Sequence, residues 1–256
     1  MNKWIMASIG LANGHGYLDK LFLVYPILTN PERQLPQGID EEIRELVEKK
    51  DKVELIRTLI QLEKFPVENP YIGSLREDDR LINRNPEVVD RIGEELLSIG
   101  ANGIVKGSRT PKKGSRQLGS IFQKWLPNLG YEILDGEDFV ECPGATFLKG
   151  SDTSRKIYAN EKLKCNLVEK GLDLLIKIGG KFVIGQAKFI TTSGGAQDNQ
   201  FEEATRFVSN NEGNAIRIAI LDGVVWFNSR YLEKIKSVNR SILSVLLLKD
   251  FIESLS

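Results

Sequence analysis

A single histidine, His15, and only two cysteines, Cys142 and Cys165, occur in this 256-residue chain. One imidazole cannot build a His-rich zinc centre, and it leaves little for Ser/His/Asp or Cys/His nucleophilic catalysis. Its Asn-Gly-His-Gly setting is that of a loop rather than of a catalytic base. The cysteines stand in no metal-ligand spacing and fit a reduced, cytoplasmic setting better than a disulfide framework. An excess of one charge is lacking too: 35 basic residues balance 35 acidic ones. That excludes a globally basic nucleic-acid coat and leaves room for a local basic groove. No apolar run reaches membrane-spanning length, since the stretch from Ser241 to Leu248 is short and is followed by Lys249 and Asp250. Near the start, Asn13, Gly14, His15 and Gly16 interrupt the apolar residues, so neither a signal peptide nor a membrane segment is expected. The pattern GxxxxGK[ST] is absent, which argues against ATP-driven chemistry.

What is present is an ordinary globular composition, with apolar content for one large domain or two small ones. Ile39, Ile43, Leu46, Val47, Val53, Ile56, Leu59 and Ile60 recur among charges at helical spacing, with a break around Lys49–Asp51. A further helix is bounded by Asn85 as N-cap, Pro86 at its first position and Gly100 as its stop. Residues 1–105 are therefore expected to be mainly helical. From residue 106 the pattern changes. A helix over 117–126 buries Leu118, Ile121, Phe122 and Trp125, and a strand starts at Tyr131. Residues 135–166 give no clear period. Further on, Asn199 and Glu202 resemble a capping box opening a helix to 209, Ala215 to Leu221 reads as a strand, and Val224 to Phe227 as an extension of the sheet. Helices near 229–237 and 240–254 close the chain. The expected class is α/β, a central mixed β-sheet flanked by helices over 106–256, preceded by the mainly helical region.

The most specific signal lies between Gly171 and Phe189. Gly179-Gly180 suits a two-residue turn, which pairs Ile178 with Lys181 and, counting outward, sets Asp173 opposite Gln186. Alternation puts Gln186 and Lys188 on the face of Asp173 and turns Ala187 away. Opposed Cβ atoms lie roughly 5 Å apart and the diagonal to Lys188 is roughly 7–8 Å. A carboxylate, an amide and an ammonium thus meet at one end of an otherwise apolar hairpin. The alternative is a cross-strand ion pair on a sheet edge. Phosphodiester hydrolysis needs an activated hydroxide and neutralisation of charge in the transition state, and a hard divalent cation such as Mg²⁺ does both. Asp173 and the backbone carbonyl of Ala187 offer oxygens to such an ion. Gln186 offers a neutral ligand or a hydrogen bond, and Lys188 a point charge that orients water.

Asp173 followed by Gln186-Ala187-Lys188 across a hairpin resembles the PD-(D/E)xK nuclease superfamily in its QxK variant, and the order of elements over the last 150 residues or so is similar to that family's core. The resemblance implies a restriction-endonuclease-like fold and an Mg²⁺-dependent, sequence-specific endonuclease of type II. It implies metal binding by Asp173, an active-site role for Gln186 and catalysis by Lys188. Leu172 stands where proline is usual, Gln186 replaces the second acid, and Gln123 stands where related nucleases often carry a glutamate. A second carboxylate would come from Glu161, Glu169 or Glu202, with Glu161 favoured.

Double-stranded DNA is the expected partner, bound by a homodimer if its site is palindromic. Lys106, Arg109, Lys112, Lys113 and Arg116 form a basic stretch suited to phosphates. Ser193, Gln197, Asn199 and Gln200, just past the catalytic strand, are candidates for base contacts. Residues 1–105 would serve recognition, dimerisation or both. Two alternatives remain: a structure-specific repair or recombination nuclease, and a catalytically silent DNA-binding protein on the same fold.

Overall fold

The chain divides into two units, Met1–Leu28 with Gly114–Ser256, and Thr29–Lys113. The computed structural model describes residues 1–26, 32–111, 118–168 and 171–256. Two helices open the chain, α1 (Lys3–Ala12) and α2 (Tyr17–Val24). Both belong to the unit that carries the sheet, so the boundary expected at 105/106 gives way to a sheet unit that includes the N-terminus. The physical reason is packing: Ile5, Ala12, Leu21 and Val24 are buried in the same core as the strands, and Ser8 Oγ accepts the Ser244 N–H at 2.9 Å. A sequence break in composition does not reveal that kind of return.

The helical unit comprises α3 (Ile39–Glu48), α4 (Lys52–Ile60), α5 (Ile72–Glu77), α6 (Arg80–Arg84) and α7 (Pro86–Ser108). The expected break at Lys49–Asp51 separates α3 from α4, where Asp51 caps the new helix by accepting the Glu54 N–H at 3.1 Å. Ile43, Leu55, Ile56, Leu59, Ile92 and Leu96 form its core. Gly100, at φ 67°, kinks α7 instead of ending it, and a further helical stretch runs on to Ser108. Asn85 precedes α7 without a side-chain cap; its amide donates to the Leu81 carbonyl instead.

The sheet unit continues with α8 (Leu118–Trp125), β1 (Glu132–Leu134), α9 (Gly136–Glu141), β2 (Thr146–Leu148), α10 (Asp152–Leu163), β3 (Leu174–Ile178) and β4 (Lys181–Ile190). Then come α11 (Gly195–Ser209), β5 (Ile216–Gly223), α12 (Ser229–Val238), β6 (Ile242–Leu243) and α13 (Leu248–Glu253). Among the described residues the sheet has six strands in the order β1-β2-β3-β4-β5-β6. Strand β3 runs antiparallel to β2 and β4, whereas β1/β2, β4/β5 and β5/β6 are parallel, so the sheet is mixed and helix-flanked as expected. Burial on both faces explains the apolar runs 174–176 in β3 and 218–221 in β5.

Three local expectations are corrected. Val224–Trp226 is a 3-10 turn rather than a strand, because Gly223 at φ 86° bends the chain out of β5. The stretch 240–254 holds β6, a 3-10 turn and α13, its first apolar residues pairing with β5. Helix α11 starts at Gly195, not at an Asn199–Glu202 capping box: Asp198 reaches back to accept the Gly194 N–H at 3.1 Å. Among the described residues no helix is long and apolar enough to cross a membrane.

Candidate active site

The β3–β4 hairpin has the register that its glycine pair dictates. Gly179 takes φ 55°, Ile178 pairs with Lys181, and Leu174 pairs with Gly185. Asp173 sits one residue before the ladder, its N–H donating to the Gly185 carbonyl at 3.0 Å. One carboxylate oxygen, Oδ2, accepts the Ala187 N–H at 2.8 Å and lies 3.8 Å from Lys188 Nζ. Within a strand, a residue's N–H and C=O leave on the same edge. The Ala187 carbonyl therefore points toward the edge that β3 has not yet reached, beside Asp173. β3 and β4 are the two central strands, so this pair does not lie on an edge strand of the sheet.

Gln186 shares the face of Lys188 and is only 3% exposed. Its Oε1 is buried with no hydrogen-bond partner. It opens on a cavity of about 210 Å³ lined also by Asn166, Arg206, Phe207 and Arg217. An orphaned acceptor in a cavity lined by polar side chains is a site for water.

Burial pushes the Asp173 carboxyl above its ordinary value; Lys188, the Ala187 N–H and Arg155 pull it back, and the charge of Asp152 adds to the rise. Asp152 opens α10, and its carbonyl accepts the Leu172 N–H at 3.0 Å. Gly171 makes this approach possible, because a Cβ there would stand 2.6 Å from the Asp152 carbonyl carbon. No sequence pattern points to Asp152, which lies in the stretch without a clear period.

Beneath Asp173 lies a second group, which joins Gln123 to Arg155, a residue that no motif in the sequence singles out. Gln123, on α8, donates from Nε2 to the Asp173 carbonyl at 2.5 Å, and its Oε1 accepts from Arg155 Nη2 at 2.9 Å. Arg155, on α10 and 8% exposed, also donates to the carbonyls of Asp173 at 3.0 Å, Leu172 at 3.3 Å and Leu148 at 3.1 Å. Gln123 thus binds the main chain of Asp173 in this structure.

The remaining candidates fall elsewhere. Glu161 is on the exposed side of α10, where its carbonyl accepts from Lys164, and it is not among the groups that act on Asp173. Glu202 pairs with Lys234 on α12 at 3.4 Å, and Glu169 lies outside the described residues. Lys106 and Arg109 belong to the helical unit, on and just after α7, and Arg109 pairs with Asp40. Lys112, Lys113 and Arg116 lie outside the described residues. Ser193 and Asn199 are exposed and Gln200 partly so, whereas the Gln197 side-chain oxygen accepts the Thr191 N–H at 3.0 Å. Ser193 precedes α11, and the three amides ride its first turns. Phe122 and Phe201 are core residues and Trp125 packs against that core, as helical spacing predicts.

The family model described as "Tsp45I type II restriction enzyme" matches residues 2–255. Neither a curated protein nor a solved structure gives a match.

Proposed function

Because the chain belongs to the Tsp45I type II restriction enzyme family and is thus a site-specific, double-stranded-DNA endonuclease, we propose that Asp173, Gln186 and Lys188 carry its chemistry in the PD-(D/E)xK manner with Mg²⁺. One observation carries the reading: the Asp173 carboxylate is held by the Ala187 N–H and faced by the Lys188 ammonium at the end of the two central strands. A hydrophobic hairpin has no packing need for that pair. Family membership leaves the structure-specific nuclease and the silent DNA-binding protein without support.

Among the described residues no three His, Cys, Asp or Glu side chains converge. The donor set still fits Mg²⁺, which commonly takes one or two carboxylates and fills its shell with waters and substrate phosphate oxygens. Asp173 and the Ala187 carbonyl would hold it, with Gln186, two residues before Lys188 on the same face of β4, proposed as its support. Bound there, the ion supplies a Lewis acid for the scissile phosphate and an acidified water. Lys188 orients the attacking water and balances charge that grows on the phosphate oxygens. Its partner Asp173 keeps the ammonium in place between turnovers.

For the substrate, Lys106 and Lys112, Lys113 and Arg116 are proposed as phosphate contacts, and Ser193, Asn199 and Gln200 as base contacts. A palindromic site would be met by a homodimer, the helical unit serving recognition or the dimer contact. The test is incubation of the protein with long duplex DNA in Mg²⁺ and in EDTA. Discrete fragments that require Mg²⁺, and vanish in Asp173→Ala and Lys188→Ala, are expected. Undiminished cleavage by both variants would remove the hairpin from the chemistry.

A further inference from the structure

We propose that Gln123 and Arg155 are positioning residues for cleavage: as a two-residue clamp on the Asp173 carbonyl they fix where its carboxylate points. This rests on the reading of Asp173 as the metal-holding acid.

The hydrogen bonds leave one solution for both side chains. A carbonyl only accepts and a guanidinium only donates, so an amide placed between them must turn its NH₂ to Asp173 and its oxygen to Arg155. No other side chain of that length and shape does both. Arg155 in turn spends its fork on the Leu148, Leu172 and Asp173 carbonyls as well as on Gln123. Four elements, α8, α10, β2 and the start of β3, are thereby tied to one peptide. That peptide is where β3 begins, and a strand end without such ties would fray.

The clamp accounts for the glutamine at 123. A glutamate there would set an anionic oxygen against the Asp173 carbonyl oxygen, lose the donated bond and draw Arg155 toward itself. It would push the acid-bearing peptide out of place. A displacement of about 1 Å at a reacting group costs roughly 10²-fold in rate. Lysine at 155 keeps the charge but, as a single point donor, cannot span three carbonyls and an amide.

The experiment compares full-length wild type with Gln123→Glu, Gln123→Ala, Arg155→Lys and Asp173→Ala. It reads single-turnover cleavage in Mg²⁺, DNA affinity in EDTA by fluorescence anisotropy, thermal unfolding, and Mn²⁺ binding by electron paramagnetic resonance. The expected result is a rate lower by roughly 10²-fold in Gln123→Glu and about tenfold in Gln123→Ala and Arg155→Lys. DNA affinity should stay within twofold and Mn²⁺ affinity should not rise. A faster Gln123→Glu enzyme with tighter Mn²⁺ binding would overturn the clamp and mark 123 as a ligand position. Wild-type rates in Gln123→Ala would overturn it too, as would a rate loss matched by an equal loss of DNA affinity. Should Gln123→Glu not fold, Gln123→Ala and Arg155→Lys decide. Wild-type cleavage by Asp173→Ala would instead strike the underlying site reading, whatever the clamp variants do.

Discussion

Lys188 Nζ stands 3.8 Å from Asp173 Oδ2 across the two central strands of the sheet. Both side chains are mostly buried, and burial is the largest influence on Asp173, holding its carboxyl above the ordinary value. Ionised Asp173 is therefore a cost to the folded state that Lys188 and the Ala187 N–H offset only in part. Asp173→Asn is expected to lose cleavage by at least 10²-fold while unfolding no earlier than wild type, because the cost disappears with the charge. Cleavage rates and thermal unfolding on the same preparation check this. A marked drop in unfolding temperature would make Asp173 a structural anchor first.

Gln186 differs from Asp173 in being almost fully buried with an unpaired oxygen. Gln186→Glu puts a second carboxylate within the same neighbourhood. Without metal the new charge is desolvated, so the unfolding temperature should fall. With Mg²⁺ the two acids share the cation, and metal affinity should rise while cleavage persists. Isothermal titration with Mg²⁺ and unfolding in EDTA read the two halves separately. An inactive, folded Gln186→Glu enzyme would mean that the neutral amide itself is required.

Gly171 lets the chain pass against the first turn of α10 just before Asp173. A methyl group there meets Asp152 main-chain atoms at 2.6 Å, and those atoms cannot rotate away as a side chain end would. Gly171→Ala is predicted to lower stability by about 1–3 kcal/mol through overpacking and to reduce the cleavage rate more than DNA affinity. Denaturant unfolding and single-turnover kinetics test the pair of effects. Equal losses of rate and affinity would argue for general misfolding over a local shift of the acid.

The hairpin was legible in the sequence because a glycine pair fixes the turn, and a period of two then fixes every face: Asp173, Gln186 and Lys188 follow from counting. Gln123 and Arg155 were not legible as a clamp, since they meet only through tertiary packing, and Arg155 lies in a stretch whose short elements never complete a period. Asn199 and Glu202 misled for a different reason. The pair has the spacing of a capping box, but Gly194 and Gly195, at φ 107° and 56°, let the chain enter the helix earlier, and Asp198 supplies the reach-back bond. Likewise α1 and α2 fall in a region expected to be mainly helical, but nothing local says that their apolar faces seal the far strands. Local order was readable wherever neighbours in sequence set it, and was lost where distant segments share one peptide or one core.

Asp222, at the end of β5, is fully buried and sits in a network of hydrogen bonds. It accepts hydrogen bonds from Ser244 Oγ at 2.5 Å, the Val245 N–H at 3.1 Å and the Tyr17 hydroxyl at 3.1 Å, and Tyr25 adds another. Burial outweighs these bonds and raises its pKa from 3.8 to about 6. A folded-state value above the unfolded one gives a contribution fully present below about pH 4 and lost as the pH rises through about 6. The difference of about 2 corresponds to about 3 kcal/mol, to order of magnitude. Asp222→Asn removes the titrating group, so the stability of wild type relative to Asp222→Asn should decrease between pH 4 and pH 7. Asparagine cannot accept all four bonds, which predicts that the variant is the less stable protein at pH 4 and that the gap narrows toward neutrality. Urea unfolding of both proteins at several pH values measures it. A gap that stays constant or widens with pH would show that Asp222 remains ionised throughout, held by its four donors in spite of burial.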